Sequence, residues 1–160
     1  FDCVMSTFGV MFAPNQEKAA SEILRVTKPG GRIGVASWMP EGFGAEFFKL
    51  TGKYLPPPPG VKPGSRWGTV LGMQELLGSG ATMLSGRTRT FKQYYRSLAA
   101  AVELFSTHFP IAVMMKQKTD ATTFAAFTKD IHSMFERLNK ATDGSLVLDC
   151  DYFEGIARRA

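Results

Sequence analysis

The sequence is poor in the residues that most often carry chemistry. It holds two cysteines, Cys3 and Cys150, and two histidines, His108 and His132. The cysteines stand in unrelated contexts, with no CxxC pair and no histidine at metal-ligand spacing. That pattern excludes a zinc ribbon, a redox dithiol or a disulfide framework as the organising feature, and no metal is assigned. Each cysteine reads as a core thiol of a reduced, cytoplasmic protein. No apolar run approaches the roughly 20 residues that cross a bilayer, so no membrane partner is expected. An initiator methionine and a signal peptide are also lacking. The opening Phe1-Asp2-Cys3-Val4-Met5 reads as strand, and the expectation is a piece of a longer domain.

What is present is ordinary for a globular chain. With 160 residues, 44% of them hydrophobic and 21% charged, it is large enough for one domain with a core. The net charge of +5 raises an anionic partner. The basic residues are scattered, however, and the densest group is Arg87, Arg89, Lys92 and Arg96, so nucleic acid is not the favoured partner.

Along the chain, Phe1–Ser6 alternates as a strand and runs into an apolar loop or short turn, Thr7 to Phe12, ended by Ala13-Pro14. Asn15 is placed to cap a helix whose inner face is Ala19, Ala20, Ile23, Leu24 and Thr27. Lys28-Pro29-Gly30-Gly31 stops it. Arg32–Trp38 is a near-continuous apolar strand, and strand–helix–strand at this spacing is a right-handed crossover. Phe43, Phe47, Leu50 and Tyr54 make a helical stripe, followed by a polyproline connector at Pro56–Pro59. Thr69 caps a short helix, Val70–Leu77, closed by Gly78-Ser79-Gly80. A strand is expected at Met83–Phe91, a helix from Ser97 to about Phe109, and a longer helix from Ala121 to about Lys140. The latter carries Phe124, Phe127, Ile131, Met134, Phe135 and Leu138 on one side. After an Asp143-Gly144 turn, Leu146–Arg159 supplies the last strand. The organisation expected is a core over 1–38, a cap-like segment over 39–80, and terminal strands with inserted helices over 81–160.

The informative object is a joint pattern of about forty residues: Phe1-Asp2-x-Val4-x-Ser6, then Phe8-Gly9-Val10-Met11-Phe12-Ala13, then Leu24-Arg25-Val26-Thr27-Lys28-Pro29-Gly30-Gly31-Arg32 and the strand after it. With these residues the chain resembles the class I S-adenosylmethionine-dependent methyltransferases, particularly the small-molecule branch related to quinone-biosynthesis enzymes. The resemblance is strong over Phe1–Trp38, loose over Gly42–Gly80 and weak afterwards. It implies an α/β fold, namely the carboxy-terminal half of a Rossmann-like sheet. That half would comprise strands four to seven, the last antiparallel and inserted beside the fifth, with a helical cap insertion. The family's glycine-rich loop and its ribose-binding acid are not in this sequence; Gly42-Phe43-Gly44 follows the wrong strand to replace them. The missing amino-terminal half is therefore an expected partner, the isolated chain is expected to be inactive, and its open strand flank is expected to invite self-association.

By the same resemblance Ser6, Thr7 and Phe8 would lie beside S-adenosylmethionine, with Met11 and Phe12 facing a small-molecule methyl acceptor. For Ser6 and Thr7 the competing reading is local turn hydrogen bonding, and for the apolar residues it is packing under the next helix. Trp38 ends its strand near the ligand face, where it can stack on a planar substrate or pack in the core. His108 and His132 read as helix-surface residues, and no general base is assigned. The implied activity is methyl transfer to an apolar or aromatic small molecule. The alternatives are a nucleic-acid (RNA) methyltransferase or binding module, a nicotinamide-dependent dehydrogenase of related topology, and an inactive fragment. Ser6-Thr7-Phe8-Gly9 departs from the Asn/Asp-Pro-Pro-aromatic element of amino-methylating DNA enzymes.

Overall fold

The computed structural model describes residues 1–160. Strand β1 (Cys3–Thr7), helix α1 (Gln16–Val26) and strand β2 (Arg32–Trp38) form the expected crossover, with β1 and β2 parallel and Val4 opposite Ile33. Asn15 caps α1 as read, its side chain accepting from the Lys18 amide at 2.8 Å. Gly30, at φ 78, makes the turn after the helix.

The remaining elements are α2 (Gly42–Tyr54), α3 (Val70–Leu77), β3 (Ala81–Tyr95), α4 (Leu98–His108), α5 (Pro110–Lys118), α6 (Ala121–Leu138) and β4 (Leu146–Arg159). The four strands are ordered β1-β2-β4-β3. Strand β4 is antiparallel to β2, with Gly155 opposite Val35. It is thus inserted beside the second strand, as the resemblance implied.

The chain divides into two compact units. The first comprises 1–45, 58–90 and 151–160, and the second 46–57 and 91–150. In the first unit one face of the sheet packs with α1 and α3 around Met11, Ala20, Ile33, Val35, Trp67, Met73, Leu77, Phe153 and Ala157. Residues 58–80, expected as part of a cap over 39–80, belong to this unit. Trp67 and Met73 are fully buried in its core.

In the second unit Phe105 is the hub. Its ring lies 4.8 Å from Phe135, 5.8 Å from Phe47 and stacks on Phe109 at 4.5 Å. Phe127, Ile131, Met134 and Phe135 of the α6 stripe are all buried there.

One sequence expectation is corrected. Cys3 is exposed, while Cys150 is buried as read. Cys3 alternates with Val4 on an edge strand, and the face it shares with Met5 and Thr7 is uncovered. Between the two helices expected at Ser97–Phe109 and from Ala121, a stretch to which no element was assigned, Pro110–Lys118 forms a separate helix with proline in its first turn.

Candidate functional site

The site is built where β1 and β2 end. Pairing continues one residue beyond β1, with the Phe8 amide donating to the Ala36 carbonyl at 2.9 Å. There the backbone turns sharply, and Phe8 takes φ 53, the one non-glycine residue of the chain at positive φ. A left-handed conformation costs an aromatic residue roughly 1–2 kcal/mol. Ser6 completes the turn by accepting from the Val10 amide at 2.9 Å, which anchors the short 3-10 turn Val10–Phe12.

The Phe8 ring packs 4.6 Å from Trp38 and 5.5 Å from Tyr152. Trp38 is the last residue of β2, stands opposite Tyr152 in the ladder, and meets Phe43 edge-on at 6.0 Å. Four aromatic rings from three elements and one loop therefore converge at the carboxyl end of the parallel strand pair. In open α/β sheets that end is where ligands bind.

The six residues singled out from sequence have different fates. Thr7 and Phe12 are exposed, Phe12 at 63%. Ser6, Phe8 and Trp38 are half-buried, and the Ser6 hydroxyl is engaged in its own turn. Met11, expected to face substrate, is 4% exposed and belongs to the core, where the buried Ser37 hydroxyl lies 3.6 Å from its sulfur.

Tyr152 was missed. Its signal was available only by combining the alternation along β4 with the sheet order. The 3-10 turn Gly64–Gly68 was missed too. A Cβ on Gly64 would sit 2.4 Å from the Met11 carbonyl oxygen, and one on Gly68 2.0 Å from that of Trp38. These two glycines let the turn lie directly against the backbone of both segments that carry the aromatic rings.

No titratable pair with catalytic geometry stands in this cluster. Asp151, next to Tyr152, accepts from the Thr90 hydroxyl at 2.5 Å. His108 and His132 are exposed on helices of the second unit, as read. No group of three or more His, Cys, Asp and Glu side chains is arranged to hold a metal ion. The second unit has an open groove of about 720 Å³ lined by Glu46, Lys49, Lys53, Asp130 and Arg137, among others. Its charges are largely paired: Asp130 accepts from Lys53 at 2.7 Å and from Tyr54 at 2.6 Å, and Arg137 bonds Glu46. The Asp130 carboxylate beside it raises the Tyr54 phenol above its ordinary pKa, so Tyr54 stays a protonated donor.

A family model described as a methyltransferase domain matches residues 1–35, the segment that builds the crossover and the Phe8 loop. Over that segment the chain is similar to methyltransferase domains. Uncharacterized protein Rv1405c of Mycobacterium tuberculosis is 44% identical over 88 residues, which cover 52% of this chain and 31% of that protein. Rv1403c of the same organism is 42% identical over 67 residues, covering 42% of this chain and 24% of that one. The chain thus spans about a third or less of the curated relatives it matches. Among solved structures, the BH2331 protein of Bacillus halodurans superposes with a TM-score of 0.55 at 18% identity, covering 99% of this chain and 64% of that one. The [4+2]-cyclase SpnF gives 0.52 at 18% identity, covering 99% and 49%. At these identities the likeness shows the methyltransferase-type α/β fold alone.

Proposed function

We propose that this chain supplies one wall of the cofactor and acceptor site of a protein that transfers a methyl group from S-adenosylmethionine to a small, apolar or aromatic molecule. The observation that carries the reading is the Phe8 loop. It falls inside the segment matched by the methyltransferase family model, closes the parallel strand pair at its ligand end, and holds an aromatic residue in a strained conformation beside Trp38 and Tyr152.

The residues present fit such a wall in part. Thr7 offers an exposed hydroxyl and Phe8 a half-exposed ring, whereas the Ser6 hydroxyl is occupied by its turn. When bound, S-adenosylmethionine supplies a methyl group already activated by a positive sulfur. Displacement at that carbon asks chiefly for alignment, which a rigid loop provides. Thr7 and Phe8 would hold the cofactor side. Phe12, Trp38 and Tyr152 would present apolar surface to a planar acceptor and exclude water from it. No side chain of the cluster is placed to remove a proton, so an acceptor that attacks with an available lone pair suits this wall best. A cytoplasmic location belongs to the same reading and rests on two free thiols.

Strand β1 is a sheet edge, with Phe1 at 74% and Met5 at 76% exposure. We take this edge as the place where further strands of the parent protein pair, or where isolated chains self-associate.

The test is calorimetric titration of the parent protein with S-adenosylmethionine, followed by incubation with methyl-labelled cofactor and a panel of phenols, quinols and amines. Micromolar cofactor binding and label transfer to an organic-soluble product are expected. Binding without transfer to any acceptor would favour a reaction of another kind on this fold, as with the cyclase. Failure to bind the cofactor would overturn the reading.

A further inference from the structure

Two ion pairs join α2 and α6 across the groove of the second unit, and they fix its register. Glu46 on α2 bonds Arg137 on α6. Further along α2, Lys53 bonds Asp130, which lies back along α6, at 2.7 Å. The two helices are therefore antiparallel, and a pair closes the groove at each end. Tyr54 fastens the second pair by donating to Asp130 at 2.6 Å. All of these residues lie within the second unit. Between the pairs the same register sets Lys49 and Leu50 opposite Ser133 and Met134, and all four line the groove.

Charge is left over at this middle position. The lining sets the cations Lys49, Lys53 and Arg137 against the carboxylates Glu46 and Asp130. Both carboxylates are engaged at the ends, so the surplus charge is that of Lys49, which is exposed and enters no ion pair. Glu136 on α6 lies outside the lining, and its carboxylate faces His132 at 4.0 Å. A third pair across the groove would need an acid opposite Lys49, but the chain has the exposed hydroxyl of Ser133 there. The floor beside it is apolar, with Leu50 half-buried and Met134 4% exposed. At about 1.5 Å of rise per helical residue, the end pairs stand about 10 Å apart.

We infer that the groove between α2 and α6 binds a small organic carboxylate with an apolar body. The carboxylate meets the Lys49 ammonium and the Ser133 hydroxyl, and the body lies over Leu50 and Met134 between the two end pairs. Complementarity selects this occupant. One unpaired lysine beside one hydroxyl matches a single negative charge with oxygen acceptors. An inorganic anion would leave the apolar floor uncovered, and a cation would meet the surplus positive charge. The end pairs limit the ligand to about 10 Å, the spacing that the helix rise sets. The inference does not depend on the methyl-transfer reading.

Ligand-observed NMR titration of the purified 160-residue chain tests it with three probes: octanoate, 1-octanol and inorganic phosphate. Octanoate should bind with a dissociation constant on the order of 1 mM, ordinary for so small a ligand. It should bind about fivefold more tightly than 1-octanol, the scale of one exposed charge contact, and phosphate should not bind. Lys49→Gln should bring octanoate down to the level of 1-octanol. Ser133→Glu supplies the third pair across the groove. It should abolish octanoate binding while the melting temperature stays at or above that of the parent, which separates loss of the site from loss of the fold. Failure of octanoate to bind, binding no tighter than that of 1-octanol or of phosphate, or octanoate binding unaltered in both variants overturns the inference.

Discussion

Replacing Gly68 by alanine should damage the first unit at one identifiable contact. Its Cβ would lie 2.0 Å from the Trp38 carbonyl oxygen, 2.8 Å from the carbonyl carbon and 2.9 Å from Met39 Cα. The first distance is a full ångström inside the 3.0 Å that real Cβ atoms respect, and every neighbour is backbone, with no flexible side chain to swing away. Either the Gly64–Gly68 turn lifts off, or the end of β2 moves and takes Trp38 with it. Overpacking costs about 1–3 kcal/mol, and a backbone-on-backbone clash belongs at the upper end. At about 2–4 °C per kcal/mol for a chain of this size, the melting temperature should fall by about 6–12 °C. Tryptophan fluorescence is a suitable probe, because the two tryptophans, Trp38 and Trp67, both lie in the first unit and next to the contact. Gly52→Ala is the control of opposite sign. It lies inside α2 with nothing within 4 Å of its Cβ position, so alanine should stabilise by about 0.5–1 kcal/mol through helix propensity. A Gly68→Ala protein melting within 2 °C of the parent would refute the close packing of this turn on β2.

Three further outcomes are expected. Asn15→Ala should cost about 1 kcal/mol by freeing the Lys18 amide, while Asn15→Asp keeps an acceptor and should stay near the parent in urea melts. Lys62 and Arg66 hold the Glu17 carboxyl at about 2, well below its usual 4.5, so its ion pairs stabilise the fold above pH 4.5 and that contribution is lost as pH falls toward 2. The parent should therefore melt slightly above Glu17→Gln at pH 6, and the two should converge near pH 2; a gap that widens in acid would contradict the assignment. The 160-residue chain alone should bind S-adenosylmethionine far more weakly than a protein in which it is joined to a glycine-rich loop and a ribose-binding acid. Hydrogen bonds from a glycine-rich loop and a ribose-binding acid, three or four in number, are worth about 3–5 kcal/mol, a few hundred-fold to several thousand-fold in affinity, and micromolar binding by a monomeric chain would show that a complete site is already present.

Where the sequence was legible, local signals agreed with one another. Asn15, Thr69 and Ser97 each sit before a periodic apolar run, and each accepts from the backbone amide three residues on. The loop after β1 was legible as a turn but not as a geometry. Nothing in Thr7-Phe8-Gly9 says which residue takes the left-handed turn, because that depends on the Trp38 and Tyr152 rings brought from distant positions. Tyr152 and the Gly64–Gly68 turn lie far from β1 in sequence, and nothing local marks either as a neighbour of the loop. Helix α5 escaped notice because it is apolar on every side and lacks the periodicity by which a surface helix is read. Its first residue, Pro110, looks like a stop although it is a helix start.

The conformation of Phe8 is the strongest argument that its ring serves more than packing, and it can be tested separately. A connector built for stability alone would place glycine at the positive-φ position. Glycine stands next door at Gly9, yet Gly9 has φ −103 while Phe8 carries φ 53. The chain thus bears roughly 1–2 kcal/mol of avoidable strain to put an aromatic ring at the carboxyl end of the parallel strand pair. Phe8→Gly removes that strain and also removes a half-buried ring, whose burial is worth on the order of 1–1.5 kcal/mol. The two effects oppose each other, and the melting temperature should move by no more than about 4 °C in either direction. Ligand binding has no such compensation. In the parent protein the variant should lose at least about tenfold in cofactor affinity, equivalent to about 1.4 kcal/mol, because the ring is replaced by water at the site wall. Calorimetry on the variant beside its melting curve separates the two roles. Lowered stability with unchanged cofactor affinity would make the ring a packing element and remove Phe8 from the site.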